Sequence, residues 1–309
     1  MNSLTILARH ALRNSSIRRA ALAAAALRGQ ALVLVFHRIT PGSNPRQALI
    51  PSVPEHLLRR QIEALLDAGE IVRLEDLVGL SSPSTRPRFA LTFDDDWFSH
   101  YERALPILQD LDVTATFFLS GRSLHQLGPL WFERLDEMIA AQGIRTVARR
   151  LGVDTDDPGQ VALVCESEPS LQGRIAELFA HEIPRLGRQE IAALAEAGMA
   201  VGFHTLQHPL LSQLSDSALE EALVVGRSEL EVAAGHSIRL FAYPHGKADP
   251  RAVARLPAAG FVAACTGRPG PVRAGHNPYL LGRWEPGAIG IDRFVTSLAT
   301  RLNGWSRSG

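Results

Sequence analysis

Short apolar runs alternate with longer stretches of helical periodicity along most of this chain, and that alternation leaves few architectures open. Seven runs read as strands, at 31–36, 88–93, 114–119, 200–203, 239–243, 261–265 and 279–283. Most are brief, apolar and closed by a polar residue or a turn former, as strands buried on both faces are. Helical patterns fill the gaps. Residues 54–68 place Leu57, Leu58, Ile62, Leu65 and Leu66 on one face, and 215–233 aligns Leu219, Leu223 and Leu230. Gly198 and Gly260 stand where helices at 188–197 and 250–259 should stop. Strands alternating with helices predict a parallel α/β sheet. Seven such repeats favour a barrel of about seven parallel strands, with 124–185 as a helical insertion over it.

Composition narrows the function classes. Lysine plus arginine number 32 against 32 acids, which argues against a broad nucleic-acid-binding face. The charge is uneven, however. No acid precedes Glu55, whereas Arg9, Arg13, Arg18, Arg19, Arg28, Arg38 and Arg46 all do. An alanine-rich run at 20–27 follows the Arg18–Arg19 pair. Residues 1–30 are therefore read as a basic helix lying on the domain or on an anionic membrane surface, ahead of one catalytic-sized domain at 31–304. A cleaved signal is the alternative. The favoured placement is cytoplasmic, with contact at the inner membrane surface through the basic segment and export left as open options. No run reaches the ~20 apolar residues a spanning helix needs. Cys165 and Cys265 have no metal-like spacing and read as buried free thiols.

The chemistry-bearing residues gather at strand ends, the face on which α/β barrels build active sites. Run 88–93 leads into Asp94, Asp95 and Asp96. Run 200–203 leads into His204 and His208, run 239–243 into Pro244 and His245, and run 31–36 into His37 and Arg38. Three consecutive carboxylates repel one another unless a cation or hydrogen bonds compensate. An i, i+4 histidine pair puts two imidazoles on one side of a turn, and two histidines with a carboxylate are a common ligand set for zinc and related ions. A solvated acidic turn and a chance His-x-x-x-His are the bland readings of each feature taken alone.

Together these segments resemble a known family. Phe89-Ala-Leu-Thr-Phe-Asp94-Asp95, Gly202-Phe-His204-Thr-Leu-Gln-His208-Pro-Leu-Leu211 and Phe241-Ala-Tyr-Pro244-His-Gly246 are similar to the three main motifs of the polysaccharide deacetylase, or NodB-homology, family. Val33-Leu-Val-Phe-His37-Arg-Ile39 is similar to the opening of members that act on extracellular glucosamine polymers. The resemblance runs from about residue 33 to residue 284. It implies a distorted (β/α) barrel, a divalent metal ion (most often Zn2+), and hydrolysis of the acetamide of an N-acetylated glycan or lipid-linked sugar. It also implies Asp95, His204 and His208 as metal ligands and Asp94 as general base.

The chain departs from the family pattern in three places. Asp96 stands where Gly is common, and Asp tolerates left-handed backbone better than most residues. Ala242 stands where many members carry an Arg that holds the base, and Arg283 is the candidate replacement. No late Leu-x-His follows Trp284, so His37 is the candidate general acid and His245 the second. Thr205 reads either as a loop-fixing group or as an ordinary turn residue. Tyr243, Pro244, Arg283 and Trp284 are candidate substrate contacts, with Trp97 as a further aromatic. The stretch Trp131-Phe-Glu-Arg134 is expected to cover the site. Deacetylation of a glycan is the leading function. A metal-dependent amidase for a formamido sugar or cyclic imide, and a glycan-binding homologue with weakened turnover, are the alternatives.

Overall fold

A computed structural model describes residues 12, 14–42, 49–79, 84–179 and 181–304. Residues 1–11 of the basic segment and 81–83 of the loop ahead of the run at 88–93 lie outside them. The strands are β1 (Ala31–Phe36), β2 (Arg38–Thr40), β3 (Ser52–Pro54), β4 (Glu70–Ile71), β5 (Arg88–Asp94), β6 (Thr116–Leu119), β7 (Ala200–Phe203), β8 (Leu240–Ala242), β9 (Ala263–Cys265) and β10 (Arg283–Trp284). Seven of them form a parallel sheet in the order β10-β1-β5-β6-β7-β8-β9, with β4 added beside β5. The two ends of this order come together. Leu281, just ahead of β10, bridges Cys265 of β9, its N–H donates to Ala264 O (3.0 Å), and its carbonyl accepts from Thr266 N (2.8 Å). The result is a nearly closed barrel of seven parallel strands. β2 and β3 make a small separate parallel pair at its mouth.

Period-two alternation divides the strand residues between two cores. Val33, Ala90, Phe118, Leu240, Ala242 and Cys265 share one cluster, while Leu34, Leu91, Phe117, Phe203 and Phe241 pack with the surrounding helices. The helix Ser15–Leu27 belongs to this outer layer. Asn14 caps it, accepting from Ser16 N at 2.9 Å, and it buries Ala21, Leu22, Ala25 and Ala26. Asn303, just past the helix Ile291–Leu302, donates to Ala21 O at 3.1 Å.

The helix expected at 250–259 ends at Arg255, and the strands expected at 114–119, 239–243 and 261–265 shorten to 116–119, 240–242 and 263–265. Two further elements differ more from the sequence reading. The helix expected at 215–233 is two helices, Asp216–Val224 and Arg227–Ala234, broken at Gly226, whose φ of 88° a helix interior cannot hold. The seventh strand lies later than 279–283. Asn277 caps a single tight turn at Pro278–Leu280, and pairing with β1 begins at Arg283.

The inserted region forms the helices Trp131–Gln142, Ile144–Leu151, Pro158–Ser167 and Pro169–Leu178. They build a core of their own around Leu135, Met138, Val147, Val161 and Ile175, which closes against Ile50 and Trp97 of the barrel. Arg38 ties the two parts together: its guanidinium binds Asp136 and Glu137 of the insertion and lies 3.9 Å over the Trp97 ring.

Candidate metal centre and active-site cleft

β5 ends at the base of a cleft of about 430 Å³ lined by His37, Asp94, Asp95, His204, His208 and Arg283, among others. Alternation along the strand decides which side chains arrive there. Phe93 packs outward among the helices, so Asp94 points into the mouth. Asp95 then turns the chain with φ 72°, while Thr205 (φ 61°) and His208 (φ 51°) do the same after β7. Left-handed non-glycine residues are costly and concentrate at functional sites. It is Asp95, not Asp96, that takes the left-handed conformation here. Asp96 accepts instead from Ser120 N (2.8 Å), Ser120 Oγ (2.5 Å), Gly121 N (3.3 Å) and Arg122 N (3.2 Å), fixing the loop after β6.

Asp95, His204 and His208 each place one ligand atom within 4.8 Å of the others. His204 Nδ1–H donates to Ala242 O at 2.8 Å, leaving Nε2, 3.9 Å from Asp94 and from Asp95, free to ligate. Thr205 Oγ1 accepts from His208 N at 3.1 Å, so it fixes the loop between the two histidines. His208 Nδ1 is buried without a hydrogen-bond partner. Burial, aided by His204, His245 and His37, drives its pKa well below the ordinary value and keeps the ring in the neutral, ligating form. Burial pushes the Asp95 carboxyl up, and Asp94 and Asp96 add to it against His37 and His204. A buried acid among like charges beside an unpartnered imidazole suits a divalent cation, and the residues present fit one.

Asp94 lies outside this triad and is gripped differently. Arg283 Nη1 and Nη2 donate to its two oxygens at 2.6 Å each, a bidentate fork. Burial acts against the Asp94 charge, but Arg283, His204 and His37 outweigh it and bring the pKa down from 3.8 to about 2. At the end of the neighbouring strand β1, between β5 and β10, His37 Nδ1 donates to Glu285 Oε1 at 2.8 Å. Burial again disfavours the charged form, and Glu285, Asp95 and Asp94 overcome it, raising His37 from 6.5 to about 9. Behind it, the buried His100 Nε2–H donates to the His37 carbonyl at 2.8 Å. His245 sits with its ring 4.6 Å from His208 and Nε2 3.7 Å from Glu166 of the insertion, and its pKa is lowered, chiefly by burial.

The candidate aromatic contacts fall elsewhere. Tyr243 is fully buried, its ring packed on Phe241 and its hydroxyl donating to Tyr279 O at 2.9 Å. Pro244 is buried, and Trp284 stacks on Phe294 of the outer layer at 5.3 Å. None of the three lines the cleft. Arg283 does, but its guanidinium is committed to Asp94. Trp97 is buried with Nε1–H donating to Asp95 Oδ2 at 3.3 Å, so it steadies an acid rather than offering a face. Trp131 and Phe132 of the insertion line the cleft instead, with Phe132 5.0 Å from the His208 ring. Glu285 went unread in the sequence, although a carboxylate one residue past a strand end on this face was a visible signal.

Residues 81–264, more than half of the chain, match the family model for polysaccharide deacetylases. The chain belongs to the polysaccharide deacetylase family. Membership and fold together support carbohydrate deacetylation. Among solved structures, a Streptococcus pyogenes deacetylase, PplD, in complex with acetate is similar at 17% identity over 88% of this chain and 98% of that one, with a TM-score of 0.61. IcaB from Ammonifex degensii follows at 20% identity over 89% and 97%, TM-score 0.60. A Bacillus cereus polysaccharide deacetylase, BC0361, shows 17% identity over 87% and 69%, TM-score 0.59. At such identities these structures carry the fold alone. No curated protein sequence matches the chain.

Proposed function

We propose that this polysaccharide deacetylase hydrolyses the acetamide of an N-acetylated sugar, in a polysaccharide or a lipid-linked glycan, with a divalent ion held by Asp95, His204 and His208. One observation carries the reading. A carboxylate anchored by an arginine fork stands beside a carboxylate–imidazole triad, and a hydrogen-bonded His37 lines the same cleft.

When bound, the ion, most simply Zn2+, supplies a Lewis acid for the amide carbonyl and lowers the pKa of the attacking water. Asp94 is ionised at neutral pH and accepts the proton that this water gives up. A base held near 2 is weak, so it works only on an acidified water, which its position next to the triad provides. His37 carries a proton at neutral pH. Its Nδ1 is occupied by Glu285, so Nε2–H is left to protonate the departing amine, the role the absent Leu-x-His would otherwise fill. Trp131 and Phe132 offer apolar faces to a pyranose ring at the cleft wall.

The test is acetate release from N-acetylglucosamine oligomers, with Zn2+ added, matched mole for mole by new amine. Ion uptake without acetate release would instead favour a formamido or cyclic-imide substrate, or a binding protein. The acid assignment has its own readout. Glu285→Gln removes the charge that keeps His37 protonated, so the alkaline limb of the pH–rate profile is expected to move to lower pH. An unmoved limb would remove His37 from the role.

A further inference from the structure

The segment that leads from β9 to β10 leaves the catalytic cleft at Gly267, runs to the start of β1, where Val272 pairs with Ala31, and carries an unusual charge pattern. From Pro250 to Trp284 there is no Asp or Glu, yet Arg251, Arg255, Arg268, Arg273, His276 and Arg283 all fall there. Three of these arginines have acidic partners. Arg251 pairs with Asp216 and Asp249, Arg255 with Asp216 and Glu220, and Arg283 with Asp94. Among the described residues, which include all 32 acidic side chains, Arg268, Arg273 and His276 have none. All three are exposed and line a second groove of about 820 Å³, whose lining includes no acid. Since the chain as a whole is neutral, this is a local concentration of positive charge.

The groove adjoins the catalytic cleft. Gly246 lines both, and Gly267, which lines the cleft, immediately precedes Arg268, which lines the groove. The sill between them is two glycine backbones in contact. Gly267 N donates to Gly246 O at 2.8 Å, and a Cβ built on Gly246, at φ 65°, would lie 2.5 Å from the Gly267 Cα. No side chain stands on that sill to separate the two spaces. Prolines and glycines at 269, 270 and 271 leave much of the wall as backbone, above which Arg268 and Arg273 project. With the Gln30 amide oriented to accept, its oxygen takes bonds from Arg273 Nε (3.0 Å) and Nη2 (3.2 Å), which steadies one of the two forks.

We propose that this groove binds an anionic group, a phosphate ester or a uronic carboxylate, borne by the same glycan whose acetamide is hydrolysed in the cleft. The inference rests on the deacetylase reading and narrows its substrate to a charged glycan. Guanidinium forks match the paired oxygens of both anions. Arg268, one residue from the cleft lining, stands nearer the reacting sugar than Arg273, which sits beside Gln30 ahead of β1, so the charge belongs on a unit that follows the reacting sugar in that direction. Neutral oligomers gain nothing from these arginines.

The test uses the full chain with Zn2+, and Arg268→Gln, Arg273→Gln and the double variant, each checked for an unchanged melting temperature. Three substrates are compared: an N-acetylglucosamine trimer, a trimer in which glucuronic acid adjoins the N-acetylglucosamine, and N-acetylglucosamine carried on a diphosphate ester. In the double variant KM is expected to rise roughly tenfold or more for a charged substrate at unchanged kcat, and to stay put for the neutral trimer. Whichever charged compound responds names the source of the anion. Calorimetric binding of both charged compounds to Asp94→Asn protein supplies a readout free of turnover. Arginine-dependent binding without acetate release would uphold the groove and overturn the deacetylase reading. Acetate release with equal KM for charged and neutral substrates, or equal effects of the variants on both, would overturn the groove alone.

Discussion

Asp94→Asn is expected to lower acetate release by roughly 10²–10⁴-fold, the usual contribution of a positioned proton acceptor. Ion uptake should persist, because Asp94 is not in the triad. Asn keeps the shape of the side chain and removes the charge, so the substitution separates proton transfer from architecture. It also leaves Arg283, 3% exposed, without its anionic partner, and some stability is lost with it. A melting curve alongside single-turnover acetate release therefore distinguishes a folded, inactive enzyme from an unfolded one. Full turnover in a folded Asp94→Asn protein would place the base elsewhere.

Arg283→Met carries the largest expected effect on stability. The Asp94 and Arg283 side chains are 4% and 2% exposed, and the arginine also donates to Thr266 O at 3.2 Å and Thr92 Oγ1 at 3.3 Å. Removing one partner of a buried pair strands the other charge in a poorly solvated site. The expected loss is about 3–5 kcal/mol, read as a shift in the urea midpoint at pH 7. The pH dependence has a definite sign. Asp94 is held below its ordinary value, so its contribution is complete above 3.8 and fades as pH falls through about 2. In Arg283→Met that acid-side loss should largely disappear. Adding Asp94→Leu removes the stranded charge and should recover much of the stability in an inactive protein. A single variant as stable as the wild type would show that the pair is not what fixes Asp94.

Much of the fold was legible because buried parallel strands announce themselves as apolar runs, and β1 and β7 begin and end where those runs do. Errors arose where a local rule met tertiary packing. The apolar stripe through Leu219, Leu223 and Leu230 continues across Gly226, but periodicity is blind to a left-handed glycine between two helices. In the site, the acid pair and the spaced histidines could be read because ligand chemistry demands particular residue types at strand ends. Trp284 could not be placed that way. It adjoins Arg283 on a strand, and alternation sends one into the mouth and the other outward onto Phe294. Tyr243 fails for the same reason. The cleft's aromatic wall comes from Trp131 and Phe132, in the inserted stretch that position alone marked as the cover of the site. That they, rather than the strand-end aromatics, face the cleft is decided by the folding of the insertion over the barrel.

Ion binding tests the central claim most directly. Metal-free wild-type protein titrated with Zn2+ is expected to take up one ion per chain, and anomalous scattering should place it between Asp95, His204 and His208. Asp94→Asn should bind it as well. His204→Ala, His208→Ala and Asp95→Ala should not. Equal uptake by wild type and His208→Ala, or an ion seated away from these three side chains, would contradict the account.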